Sequence, residues 1–508
     1  MKPTLSARSQ EKRCSPRTRS VKARAVVLAA VLCTSPLFSN AQESVAEKVE
    51  RLDGQMIRVQ AQLEESEHEL KDIQQQLSAL RGQAGLSAKS SSDETAVSPA
   101  AQLAAAVEEL REKQDIQESQ LAAQEQTKVG SESRYPVTLS GMILINSFVN
   151  TRTVDAAPTP AIAFPGPGAT GATLRQSILG IDASGPHLFG ARSHADLRID
   201  FDGVQTAGSY TNALGLLRLR TAHAELDWQH AKAFFAVDRP LLSPDTPTSL
   251  TAVAEPPLAW SGNLWVWNPQ AGVSGQLPLH RNAALQMQAA LIDVADLPNL
   301  YGSSSPLPFF PPSTSEQSRW PGFEARLSLL NPMGDSEAHL GVGGFFAAHR
   351  TAAGTTFNSW AGTMDFHIPV FSHVDLAGSA YRGQALGGLG GGAYKDVVYR
   401  LYQGDAYFRA LDDMGGWIQA KEKVNERLEF NEAIGIDNVP AYQLLPFAMP
   451  GPANYYNLAR NRTFTSNVIY RPSAYLLYSI EYRRIESSFV NSPTASSDVI
   501  GVAAGYRF

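Results

Sequence analysis

Arg218 and Arg220 flank Leu219 in the run LRLRTAHAELDW, so an extended chain carries both guanidinium groups on one face. Such a pair can act as a basic ladder, because each guanidinium binds a carboxylate or phosphate through a planar fork of donors. Arg175, Arg198, Arg326, Arg460 and Arg462 occupy similar alternating stretches and join the same candidate set. Acids are interspersed with them at Asp182, Asp196, Asp200 and Glu324. A second reading is therefore open, in which the arginines pair with these acids and line a solvated wall. Catalytic patterns are weak by comparison. The ten histidines are scattered, and His367 with His373 or His223 with His230 has no metal-site spacing. No phosphate-binding GxxxxGK[ST] loop or nucleophile elbow occurs. The chain is read as no enzyme, without cofactor or metal. GGLGGG, Gly387 to Gly392, lacks a following helical pattern and reads as a flexible surface loop.

The elements that position these residues are strands. In HADLRIDFD, Ala195, Leu197, Ile199 and Phe201 alternate with His194, Asp196, Arg198, Asp200 and Asp202. GFEARLSLL and AYLLYSIEYRRIES repeat the pattern, one face apolar and the other polar or charged. Sixteen such runs lie near 136–148, 172–184, 190–202, 214–228, 231–238, 264–278, 282–293, 319–330, 337–348, 359–370, 373–383, 415–424, 427–437, 459–471, 474–486 and 499–508. Their joins alternate between short turns, such as FS and NE, and long segments rich in Pro and Gly. About ten residues per strand, short turns at one end and long loops at the other describe an all-β transmembrane barrel of sixteen antiparallel strands. The chain ends VIGVAAGYRF, in which Ile500, Val502, Ala504, Tyr506 and Phe508 share a face. Closure against the first strand leaves no edge exposed to lipid.

Composition agrees with many short strands: 39 Gly and 31 Pro in 508 residues. The first 24 residues carry eight bases against one acid, followed by AVVLAAVLC and the small-residue site SNA, which reads as an export signal over 1–41. Both cysteines, Cys14 and Cys33, fall inside it, so no disulfide or thiol chemistry is expected of the processed chain. Without the signal 35 bases face 48 acids, a net charge of -13, and a nucleic-acid partner is excluded on charge. From Val45 apolar residues step by four and three through Val49, Leu52, Met56, Val59, Leu63, Leu70, Ile73, Leu77 and Leu80. Over 42–81 this predicts a periplasmic helical coiled coil about 54 Å long at 1.5 Å per residue. Residues 82–134 form a linker with a second, weaker helix, and 135–508 the barrel.

The terminal GYRF, LRLRTAHAELDW, GGWIQAKEKVNERLEFNEAIGIDN and NVIYRPSAYLLYSIEYRR, together with the heptads, resemble Gram-negative outer-membrane porins. Among these the chain is most similar to the DcaP-like trimeric porins with an N-terminal coiled coil. The resemblance implies a homotrimer in outer-membrane lipid that passes small hydrophilic solutes, and the arginine ladder adds anionic solutes to that expectation. It further implies that the third long loop, Arg239 to Gly262, folds inward, carrying Arg239, Asp245 and Glu255 with Asp238 at its base. The competing expectation is a structural envelope tether whose coiled coil contacts peptidoglycan.

Overall fold

Alternating side chains oblige each strand to show one face to the barrel interior and the other outward. The computed structural model describes residues 136–508, except 204–214, 280–282, 296–311, 334–335, 352–353, 403–404 and 452–453. Its first strands are β1 (Val137–Val154), β2 (Ala163–Thr173), β3 (Ile178–Leu188), β4 (Ala191–Gly203), β5 (Leu216–Asp227), β6 (Ala231–Asp238), β7 (Asn268–Pro278), β8 (Ala284–Ile292) and β9 (Gly322–Met333). There follow β10 (Ser336–Arg350), β11 (Thr356–Phe371), β12 (Val374–Gln384), β13 (Val397–Tyr402), β14 (Asp405–Ala410), β15 (Asp412–Lys423), β16 (Leu428–Asn438), β17 (Leu458–Tyr470), β18 (Leu476–Phe489) and β19 (Ser492–Arg507).

Sequential antiparallel pairing joins these strands into one closed wall. β1 pairs with β19 from Met142 opposite Arg507 to Asn150 opposite Val499, and Gly141 and Phe508 exchange backbone hydrogen bonds of 2.9 and 3.0 Å. β1 also pairs with β2 along its second half and with β3 along its first. β2 and β3 are therefore one wall strand broken at Leu174 to Ser177, and the wall has sixteen strands, with β13 and β14 forming a separate hairpin. Both ends of the described chain lie where the turns are short.

The faces are inverted relative to a water-soluble sheet. On β11 the buried inward residues include Ser359, Thr363 and Asp365, while Trp360, Met364 and Ile368 are exposed outward. On β16 Glu429, Asn431 and Asp437 are inward and Phe430, Ile434 and Ile436 outward. A polar inside and an apolar outside suit a hydrocarbon surround.

Several expectations need correction. β19 begins at Ser492 and not at 499, and β7 at Asn268, since 264–267 belong to the preceding loop. β1 and β2 extend into the Pro- and Gly-rich stretch read as a long loop; small residues there hide a strand pair. Arg460 and Arg462 point outward, because Asn461, Thr463, Thr465 and Asn467 occupy the inward face of β17. Arg462 pairs instead with Glu486 on β18. GGLGGG is buried in the lumen, not displayed at the surface. Its backbone adopts positive φ at Gly390 (110°) and Gly392 (64°), and a Cβ on Gly390 would lie 2.9 Å from the Trp265 nitrogen. The signal, coiled coil and second helix lie outside the described residues.

Candidate functional site in the barrel lumen

The connection from β6 to β7, residues 239–267, turns inward and is held largely through its own backbone. In chain order, Leu241 N–H donates to Glu324 on β9 at 2.9 Å, and Asp245 pairs with His339 on β10 at 3.1 Å. Thr248 N–H donates to Gln419 on β15, and its carbonyl accepts from Asn467 on β17 at 2.8 Å. Ser249 bonds Glu481 on β18, and Asn146 on β1 donates to the Leu250 carbonyl at 3.2 Å. Gln176, in the break between β2 and β3, donates to the Thr251 carbonyl and accepts from Val253 N–H at 2.7 Å. Arg220 and Arg218 on β5 then donate to the carbonyls of Val253 and Ala254, each at 2.6 Å. The first limb of the loop thus makes a circuit of the wall in strand order.

The second limb returns across the lumen. Leu258 packs on Trp417 and Ala433, Ser261 bonds Thr463 at 2.8 Å, and Asn461 donates to the Trp260 carbonyl at 3.1 Å. The glycine-rich segment before β13 packs onto this limb: Val266 N–H donates to the Leu389 carbonyl and Asn268 to that of Gly388. Lys395 at its end donates to the Ala393 and Leu458 carbonyls, and burial pulls its ammonium down to about 7.

These insertions displace water from one side of the lumen. Asp437, Asn461, Thr465 and Glu481 are at most 2% exposed, whereas Asp182, Arg198, Arg218, His223 and Asp238 on β3 to β6 keep 21–34% of their side-chain surface accessible. The charged water-accessible strip therefore follows β3 to β6.

The structure gathers the inward-facing sequence-derived candidates, Arg198 excepted, into two groups. Arg218 and Arg220 converge on Asp200, which is fully buried, with Arg218 bidentate at 3.1 and 2.7 Å and Arg220 at 3.2 Å. Both guanidinium groups also lie over the Trp267 ring, 5.2 and 4.8 Å from its centre. Arg175 faces Asp202 at 3.7 Å, and Glu255 accepts from Trp260 Nε1 at 2.7 Å. Arg239 donates to the Pro244 carbonyl, and Asp238 accepts from His223 and from Arg239 N–H. Arg326 forms a buried fork with Asp365 at 3.0 and 2.6 Å, close to Asp245 through His339. Arg198 stands apart from both groups, paired with Asp182 at 2.6 Å. Gln176, Asn146, Gln419 and Asn467 position the loop but were not among the candidates. Uncharged amides on strands carry no distinctive spacing; only the loop backbone they bind distinguishes them.

Glu255 introduces a pH dependence. Burial, reinforced by the charge of Asp155, pushes its carboxyl up to about 8 from an ordinary 4.5. The folded loop therefore binds a proton that the released loop does not, so the stabilisation is complete below 4.5 and is lost as pH rises through about 8. The limit is about 1.4 kcal/mol per pH unit across that window. Single-channel records between pH 5 and 9 should show increasing open-level noise with pH, and Glu255→Gln should flatten the trend; an equally steep trend in the variant would exclude Glu255 as its source.

The closed barrel fold is shared with a solved channel. The DcaP outer-membrane channel of Acinetobacter baumannii superposes with a TM-score of 0.54 and 15% identity, covering 75% of this chain and 100% of that one. The fold is that of the DcaP outer-membrane channel. Weaker likenesses are to the anion-selective porin of Comamonas acidovorans (TM-score 0.44, 11% identity, 74% of this chain and 100% of that chain) and OprB of Pseudomonas putida (0.45, 8%, 73% and 94%). No protein-family model matches the chain, and no curated protein matches it significantly.

Proposed function

We propose that this barrel lets small hydrophilic solutes diffuse passively across the outer membrane. The observation that carries the reading is the water-accessible charged strip along β3 to β6, which passes the inward loop inside a wall whose outer face is apolar. A sixteen-strand wall is too wide for its own side chains to fill, so what the loops leave open holds water. The proposal includes a homotrimer, an N-terminal segment in the periplasm and no catalytic role. It also includes a mild preference for anions. Arg218 and Arg220 share one carboxylate, Asp200, which leaves one net positive charge where the loop meets β5.

Purified protein in a planar bilayer under a salt gradient tests these parts separately. Conductance steps closing in threes are expected, with a reversal potential on the anion side. Arg218→Ala/Arg220→Ala should move that potential towards cations by several millivolts, whatever happens to the amplitude. An unmoved potential would remove the anion preference, and a folded barrel without conductance would remove the open pore.

A further inference from the structure

The geometry points to a subsite for a small neutral polyhydroxylated solute, of monosaccharide size, in a cavity of about 320 Å³ below the inward loop on the β7 to β10 side. The inference rests on the diffusion reading, since solute would reach this cavity through the lumen. The chemistry of the lining selects the ligand class. Two of its charged side chains are paired, Arg326 with Asp365 at 2.6 Å and His339 with Asp245 at 3.1 Å. The Arg239 guanidinium makes no ion pair among the described residues, donates to the Pro244 carbonyl at 3.0 Å and is offset only by the neighbouring Asp238 carboxylate, which accepts from the Arg239 backbone N–H. Counting Asp238 against Arg239, the charges balance and no net charge is left to attract an ion.

Hydrogen-bonding groups remain. Gln276 on β7 and Gln286 on β8 face each other across the strand pair, and Gln288 lies one inward position further along. Gln286 Oε1 accepts from Ser328 and Gln288 Oε1 from Arg326, which leaves both amide NH₂ groups without a protein partner among the described residues. The Gln276 side chain is likewise unpartnered there, and Arg239 Nη1 is a buried donor with no partner. Leu241, Leu330, Pro240 and Pro244 supply apolar surface on the remaining sides. Amide donors with spare carbonyl capacity beside an apolar face match a ring that carries hydroxyls on its edge and C–H groups on its faces. The volume admits one small ring, because pockets for larger ligands run to about 1,000 Å³.

Titration calorimetry of the full-length folded protein in detergent, with glucose as the probe and gluconate as its anionic counterpart, tests the assignment. Glucose should bind with a dissociation constant of about 1–10 mM, an affinity suited to solute that must leave again. Gluconate should bind at least tenfold more weakly. Gln276→Leu/Gln286→Leu should weaken glucose at least tenfold while the barrel keeps its heat-modifiable gel mobility, and Gln286→Asn, which keeps the amide, should recover part of the loss. Glucose heats equal to dilution, binding unaltered in the double variant, or tighter gluconate would each overturn the neutral-solute subsite. Potassium chloride conductance measured on the same sample separates the two ideas: a conducting barrel that ignores glucose loses only the subsite, and a glucose-binding barrel that does not conduct loses only the diffusion reading.

Discussion

Asp200→Leu is expected to destabilise the barrel by about 3 kcal/mol, the lower end of what removing one partner of a buried ion pair costs. Asp200 has no exposed surface and receives both Arg218 and Arg220, whose other donors hold the Val253 and Ala254 carbonyls. Removing the carboxylate leaves two adjacent cations repelling each other while still tied to the loop. The low end applies because Arg218 keeps 27% of its side-chain surface in water and can be solvated. Asp200 also accepts from Asp202 N–H at 3.0 Å, a bond that Asp200→Asn can preserve, so that variant should lose less. Reversible urea unfolding in lipid vesicles, followed by tryptophan fluorescence, gives the number. A loss below about 0.5 kcal/mol, typical of an exposed pair, would mean that Asp200 does not anchor the loop.

Gly435→Val should displace the second limb of the inward loop and raise single-channel conductance at least about twofold, at a stability cost of about 1–3 kcal/mol for overpacking. A Cβ at Gly435 would sit 2.1 Å from the Ser261 carbonyl oxygen and 3.1 Å from Leu258 Cδ1. β16 cannot yield, since it is paired with β15 and β17 along its length. The loop is the softer partner, and its movement opens the lumen. Gly362→Val on β11 is the control: nothing lies within 4 Å of a Cβ there, and neither conductance nor stability should change appreciably. Wild-type conductance in Gly435→Val would contradict the close packing of Ser261 on β16.

The glycines that make this packing possible were legible only as residues of a strand. Gly415, Gly416 and Gly435 look like weak points in a strand pattern, yet Gly435 is where the Ser261 carbonyl approaches and Gly416 where Gly262 does. Gly501 near the C-terminus meets Thr251 in the same way, which explains why small residues fill the inward side of the closing strand. The inward placement of Arg218 and Arg220 was readable from alternation. The next step was not: the register shifts beside Arg220, so that His223, and not Ala222, faces inward to meet Asp196 and Asp238. On β17 alternation gave no direction at all. LARNRTFTSN has polar residues on both faces, and the amides and hydroxyls that bind the loop took the inside.

By itself the sequence determined the sixteen wall strands, their apolar outward face and the closure at Phe508, because a period of two and a turn are properties of neighbouring residues. What occupies the lumen was decided by tertiary structure alone. Asn146 meets Leu250 across 104 residues, Gln419 meets Thr248 across 171 and Glu481 meets Ser249 across 232. The loop backbone they bind is chemically the same at every residue, so no local pattern marks the side chains that hold it, and only the closed wall brings them within reach.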